Sequence, residues 1–128
     1  PHEVGYCNAH GTATRIGDVV EADALRAVWG DAIDHLRVSS TKALHGHLLG
    51  AAGALEAVIT VLALQRGELP PNMHCEAPDP VCALALVREP GTAAPDLRAA
   101  ISSSFPSGGT ILVLALSGAW RCTRRVWR

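Results

Sequence analysis

SSTKALHGHLLGAAGALEAVITVLALQRGELPPN, from Ser39 to Asn72, is the stretch that decides the fold. It opens on hydroxyl residues at the end of a short apolar run, Leu36 to Ser40, which reads as a strand delivering polar side chains and Lys42 to a loop. Glycines at 46 and 50 punctuate that loop. The tract from Leu48 to Leu64 then holds two glycines and a single charged residue, Glu56, so it reads as a buried helix running to about Arg66. Gly67 ends it, and Pro70-Pro71 prevent continuation. A carboxylate in such a helix is the anomaly. Burying one without a partner is expensive, so either Lys42 or another donor reaches Glu56, or the acid faces water through a gap. A structural ion pair bracing the loop and a catalytic group are both consistent with Lys42, His45, His47 and Glu56 at this spacing.

Working outward, Val4 to Asn8 is a short apolar run that ends at His10-Gly11-Thr12, again a strand feeding a polar turn. Asp18 opens a helix in which Val19, Val20, Ala22, Ala24, Leu25, Ala27, Val28 and Trp29 keep an apolar face. Glu21, Asp23 and Arg26 are expected outside, and Gly30 is the stop. After the Pro-rich connector come three candidate strands, Ala83–Val87, Ala100–Ser104 and Ile111–Leu116, separated by Gly, Pro and Ser turns. The order β-α-β-α-β-β-β predicts an α/β fold, a mixed β-sheet flanked by helices. The polar ends of three strands, at His10, at Lys42 with His47, and at Ser102 to Thr110, would meet at one edge of that sheet, where α/β scaffolds build their sites.

The chain has 128 residues, 48% of them hydrophobic and 18% charged, which suits one compact domain and excludes a disordered polymer or a charge-rich coiled coil. The net charge of -1 hides an asymmetry, because Arg121, Arg124, Arg125 and Arg128 all lie in the last ten residues. We therefore divide the chain into a domain over 1–118 and an atypical basic tail over 119–128. The acidic body gives no reason to expect nucleic-acid binding. No membrane span is expected, since Glu56 interrupts the one long apolar tract. Cys7, Cys75, Cys82 and Cys122 form no CxxC pair and no secretory signal is visible, so neither a disulfide framework nor a metal site is expected and the cytoplasm is the expected compartment.

The segment SSSFPSGGT, Ser102 to Thr110, lies between two apolar strands. Adjacent glycines let backbone N–H groups approach a ligand atom, as an oxyanion hole requires, though a simple Ser/Gly/Pro hairpin loop has the same composition. With NAHGTATRIGDVVEADALRAVWG (Asn8 to Gly30), the stretch quoted first, and APDP (Ala77 to Pro80), it completes a series of motifs. In order and spacing the series resembles the C-terminal part of a β-ketoacyl-acyl-carrier-protein synthase, the elongating type II condensing enzyme of thiolase fold.

The resemblance implies an acyltransferase of fatty-acid or polyketide synthesis, here an incomplete C-terminal half of a thiolase-like fold. It implies that His10 and His47 are the two active-site histidines of a Cys-His-His enzyme, which stabilise an enolate formed when malonyl-carrier protein loses carbon dioxide. Lys42 and Glu56 would hold the second histidine loop, and Asp18 would cap the helix after the first. Phe105, Ser107, Gly108 and Gly109 would belong to the oxyanion and gating loop. No cofactor is implied, since substrates ride on the phosphopantetheine of an acyl carrier protein. The implied partners are that carrier protein, a cysteine-bearing N-terminal half or a complete synthase, and a second subunit in a dimer.

Two departures stand out. None of the cysteines occupies the family's nucleophile motif, and a whole enzyme of this kind is about three times longer, so the chain alone is expected to be inactive. Pro106 and Ser107 replace a glycine and the gating phenylalanine, which predicts a wider pocket entrance or a damaged site. His45 stands where the family has a small hydroxyl residue. A non-catalytic partner of a synthase or carrier protein and a truncated gene product are the competing readings.

Overall fold

A computed structural model describes residues 1–106 and 108–118; Ser107 and the basic tail lie outside the described residues. Strand β1 (Val4–Asn8) leads to helix α1 (Gly17–Trp29), a 3-10 turn (Gly30–His35) and strand β2 (Arg37–Ser39). A one-turn helix α2 (Lys42–His45) and a 3-10 turn (Leu49–Ala51) precede the long helix α3 (Ala52–Arg66). Strands β3 (Glu68–Leu69), β4 (Ala85–Leu86), β5 (Thr92–Ala93), β6 (Ala99–Ser104) and β7 (Leu112–Ser117) follow.

The main sheet has the order β4-β2-β1-β6-β7. Its first four strands are parallel, and β7 runs antiparallel to β6, so the sheet is mixed as expected. Strand alternation sorts the core into two layers. Cys7, Val38 and Ile101 point toward α1, where they meet Leu25 and Trp29. Tyr6 and Ala100 point the other way, toward Ala63 of α3 and Leu69. Both faces of β1 and β6 are thus covered, which is why these strands read as unbroken apolar or small-residue runs. Fully burying a side chain such as Leu36 or Leu69 contributes about 1.5–3 kcal/mol, and both are at 1% exposure or less.

The helices differ from expectation in instructive ways. Helix α1 starts at Gly17, whose N–H donates to Thr14 Oγ1 at 3.2 Å, so Asp18 lies inside the first turn and makes no cap hydrogen bond. Its buried stripe is Glu21, Ala22, Leu25 and Trp29, while Val20 and Val28 are exposed. Glu21 therefore faces inward, the reverse of the periodicity reading. Helix α3 begins later than its apolar tract and buries only Ala52, Glu56, Thr60 and Ala63, a stripe one turn apart at each step. Its outer residues Val58 and Val61 are open, and so are Leu112, Val113 and Leu114 of β7, because no layer among the described residues covers them. By length and composition alone, Leu49–Arg66 is apolar enough to cross a membrane; here it packs on the sheet with Glu56 and Thr60 turned inward. At its end Gly67 adopts a left-handed φ of 64°, and a Cβ there would lie 3.2 Å from Pro95 Cα. The β3–β5 antiparallel ribbon has no counterpart in the sequence reading.

Candidate functional site

Because β1, β2 and β6 run parallel, their C-terminal ends reach the same edge of the sheet. The chain leaves β1 into His10, β2 into Ser40 to Lys42, and β6 into Phe105. At this edge the His10 and His47 rings meet edge to face with centroids 5.6 Å apart, and the Phe105 ring packs against His10 at 5.7 Å. Two histidines distant in sequence, and the first residue of the Gly-rich loop, thus share one spot.

The His10 turn is fixed through its main chain. Its N–H donates to Glu21 Oε1 at 2.9 Å and to Ser103 Oγ at 3.2 Å, and the Gly11 N–H donates to Glu21 Oε2 at 2.9 Å. The Ser103 hydroxyl donates in turn to Glu21 Oε1 at 2.6 Å. Glu21 is 5% exposed, so a carboxylate from the face of α1 satisfies the His10 and Gly11 backbone donors, sharing the first with Ser103. Gly11 has a φ of 38° and sits so close to β2 that a Cβ would lie 2.6 Å from Ser40 Cβ. Only glycine fits that approach.

The His10 ring itself is less tied. Its Nδ1 is buried with no partner among the described residues, which leaves Nε2 to meet a ligand. Burial and the nearby Lys42 charge lower its proton affinity below the ordinary histidine value, while Glu21 and Glu56 pull the other way. His47 is exposed, and its Nδ1 accepts the Leu49 N–H at 3.3 Å. An accepting Nδ1 places the proton of the neutral ring on Nε2. Leu49 holds that amide in position with a φ of 50°, a left-handed conformation that costs a leucine about 1 kcal/mol.

Lys42 and Glu56 form a buried ion pair, with side chains 6% and 0% exposed. It joins α2 to α3 and so fixes both ends of the loop that carries His47. Glu56 Oε2 has no further partner among the described residues. Asp18 does not join this group. It lines a cavity of about 180 Å³ beside α1, along with Gly11, Glu21, Cys75 and Cys82, and its Oδ1 is buried with no partner among the described residues. Gly108 and Gly109 take positive φ values in open space, suited to presenting backbone N–H groups outward.

Cys7 touches the network, its Sγ 4.0 Å from Ser103 Oγ. Burial, reinforced by the Glu21 charge, pushes its thiol up to about 12, the opposite of the lowered value that activates a cysteine nucleophile. Among the described residues no cluster of His, Cys, Asp and Glu has the form of a metal centre. Sequence reasoning missed Glu21. The only signal for it was an acid at the spacing of the buried stripe of α1, one turn before Leu25.

Compared with known proteins, residues 1–76 match the family described as beta-ketoacyl synthase, C-terminal domain. The chain is 44% identical over 115 residues to 3-oxoacyl-acyl-carrier-protein synthase 2 of Staphylococcus aureus, covering 89% of this chain and 28% of the relative. A solved β-ketoacyl synthase from Burkholderia phymatum STM815 superposes with a TM-score of 0.82 at 36% identity, over 90% of this chain and 28% of that one. A type II polyketide ketosynthase, solved in complex with its acyl-carrier protein and bound to the hexaketide, gives a TM-score of 0.87 at 30% identity over 91% and 28%. The chain therefore spans a little over a quarter of the length of these relatives.

Proposed function

This chain belongs to the β-ketoacyl synthase family, in the family's C-terminal domain with its thiolase-like fold, and from that membership we propose that it supplies the two-histidine side of a decarboxylative condensation site. The observation that carries the proposal is the convergence of the His10 and His47 rings, 5.6 Å apart, at the C-terminal edge of the parallel strands.

The chemistry follows from what each ring can offer. An acyl chain waits as a thioester on a cysteine outside this chain, and the malonyl group arrives as a thioester on the phosphopantetheine of an acyl carrier protein. The carbon–carbon bond to the malonyl carboxylate breaks, carbon dioxide leaves, and its electron pair becomes an enolate with negative charge on the thioester oxygen. Two Nε2–H donors aimed at that oxygen stabilise the charge as it forms. The enolate carbon then attacks the acyl carbonyl, forming the new carbon–carbon bond and expelling the cysteine as thiolate. A neutral His10, favoured by its burial and by Lys42, keeps the proton it donates rather than transferring it. Lys42 and Glu56 hold the His47 loop, and Gly108 and Gly109 would offer backbone N–H groups to the second oxyanion. Phe105 packs against His10. Ser107, the remaining member expected for that loop, lies outside the described residues.

By itself the chain should not condense, because none of its cysteines stands in the family's nucleophile motif, and Cys7, which contacts Ser103, is buried. A cysteine-bearing half, an acyl carrier protein and a second subunit complete the working enzyme in this reading, and a cytoplasmic setting suits free thiols. The test replaces the matching segment of the Staphylococcus aureus relative with this chain and follows carbon dioxide release from malonyl-carrier protein. His10→Ala and His47→Ala should each slow release by about 10²-fold or more. Unchanged release in both would overturn the assignment, as would condensation by the isolated chain.

A further inference from the structure

His45 sits one turn before the site, and its two ring nitrogens face groups that settle what it must do. Nδ1 lies 2.7 Å from the Gly46 carbonyl oxygen, which can only accept, so Nδ1 carries a proton. Nε2 lies 3.1 Å from Thr41 Oγ1. The Thr41 hydroxyl has a single proton, and it is also 3.4 Å from Asn8 Oδ1, another group that only accepts. Asn8 and Thr41 are both fully buried. Among the described residues Thr41 is the one donor to Asn8 Oδ1.

The line continues in one direction. Asn8 Nδ2 donates to the Glu56 carbonyl at 3.4 Å and to Thr60 Oγ1 at 3.5 Å, and the Thr60 hydroxyl donates to the Glu56 carbonyl at 2.7 Å. With the Thr41 proton on Asn8 Oδ1, the His45–Thr41 contact is a hydrogen bond only if His45 Nε2 donates to Thr41. A neutral His45, with its proton on Nδ1, competes with Asn8 for the single Thr41 proton, and wherever it wins the buried Asn8 oxygen loses its donor, a costly loss for a group closed to water.

We propose that His45 is a proton-operated positioning residue of this site. With both nitrogens protonated it bridges Gly46 and Thr41, and Thr41 then fixes Asn8, two residues before His10. Without the second proton it takes the Thr41 hydroxyl back and releases Asn8. The clamp ties the His47 loop, which begins at Gly46, to the strand that presents His10, and histidine is the side chain that changes charge between pH 5 and 8. The charged or titratable groups on the elements the clamp joins are Lys42 on the helix of His45, His47 on the loop that follows, His10 after β1, and Glu56 on α3, whose carbonyl receives Asn8 Nδ2. Lys42 and Glu56 are committed to each other. What the clamp positions rests on the two-histidine reading above; whether it exists does not.

The experiment is a titration of the isotopically labelled chain from pH 8 to pH 5, followed by the nuclear magnetic resonance signals of each histidine ring and of the Asn8 side-chain amide. The Asn8 signals should move in one step with the midpoint of His45, whose two nitrogens both show protonated character at the acid end. His45→Asn, which keeps a donor for the Gly46 carbonyl but cannot gain a proton, should abolish the Asn8 step. Thr41→Ser, which keeps the hydroxyl, should retain it, and His45→Gln serves if His45→Asn fails to fold. An Asn8 step that follows His10 or His47 instead, or that survives in His45→Asn or His45→Gln, would overturn the proposal. If Asn8 follows His45 while carbon dioxide release ignores His10→Ala, the clamp stands and the catalytic reading falls.

Discussion

The two histidine turns arrive at one place by opposite means. At His10 the backbone is held: a buried carboxylate from α1 and a hydroxyl from β6 grip the N–H groups of His10 and Gly11, while the ring is left with an unpartnered Nδ1. At His47 the ring is held, through its Nδ1 and the Leu49 amide, while residues 46–51 around it are exposed. That second loop takes its fixity from its ends, where the Lys42–Glu56 pair ties the helix before it to the helix after it. Convergence of two rings does not need two copies of one device. It needs each turn to be anchored to the buried framework at one point, by main chain in one case and by flanking helices in the other.

Removing the cation from the flanking pair should give the largest effect. Lys42→Met leaves the Glu56 carboxylate buried, fully shielded from water and uncompensated, and breaking a pair of this kind costs about 3–5 kcal/mol. Urea unfolding followed by circular dichroism measures it. The double variant Lys42→Met/Glu56→Gln removes the stranded charge and should recover more than half of the loss. If the double variant is no more stable than Lys42→Met, the pair is not what fixes the His47 loop.

Breaking the other anchor is the sharper contrast. Glu21→Gln keeps the size of the side chain but turns one of its acceptors into a donor facing the Gly11 N–H, for a loss of about 2 kcal/mol. Amide hydrogen exchange separates the two turns: Gly11 should exchange faster in Glu21→Gln, with the Leu49 amide unaffected, and the reverse should hold in Lys42→Met. Equal acceleration at both amides in either variant would mean that the turns are anchored together.

How much of this was legible beforehand follows the same division. The Lys42–Glu56 pair could be read because one acid in an otherwise apolar helix calls for a partner, and a lysine stood near. The strand ends could be read because β1, β2 and β6 are short runs that each stop at polar residues. Glu21 escaped because two of its three partners are backbone N–H groups, which leave no trace in side-chain composition, and because an acid on an amphipathic helix ordinarily faces water. Asp18 was misassigned for a related reason: Thr14 accepts the Gly17 N–H, so the helix is already under way when Asp18 is reached. Val20 and Val28 fit an apolar face by period, yet what they would pack against is not among the described residues. Periodicity reports that a face is apolar; it does not report which layer covers it.

The smallest expected effect tests the free ring of His10. Burial and the Lys42 charge hold its proton affinity below the ordinary value of 6.5 in the folded chain, against the opposing pull of Glu21 and Glu56. A histidine of this kind stabilises the fold fully above its unfolded value, and the contribution is lost as pH falls through the lower, folded value. The chain should therefore lose stability between pH 7 and pH 5, and His10→Gln, which has no proton to gain, should lose less over the same range. Unfolding midpoints at matched pH values give the comparison directly. A steeper decline in His10→Gln would mean that Glu21 and Glu56 outweigh burial and Lys42 at this ring. The ring would then bind its proton more tightly in the folded chain than in the unfolded one, and the contrast between a gripped backbone and a loosely held imidazole would have to be redrawn around those two carboxylates.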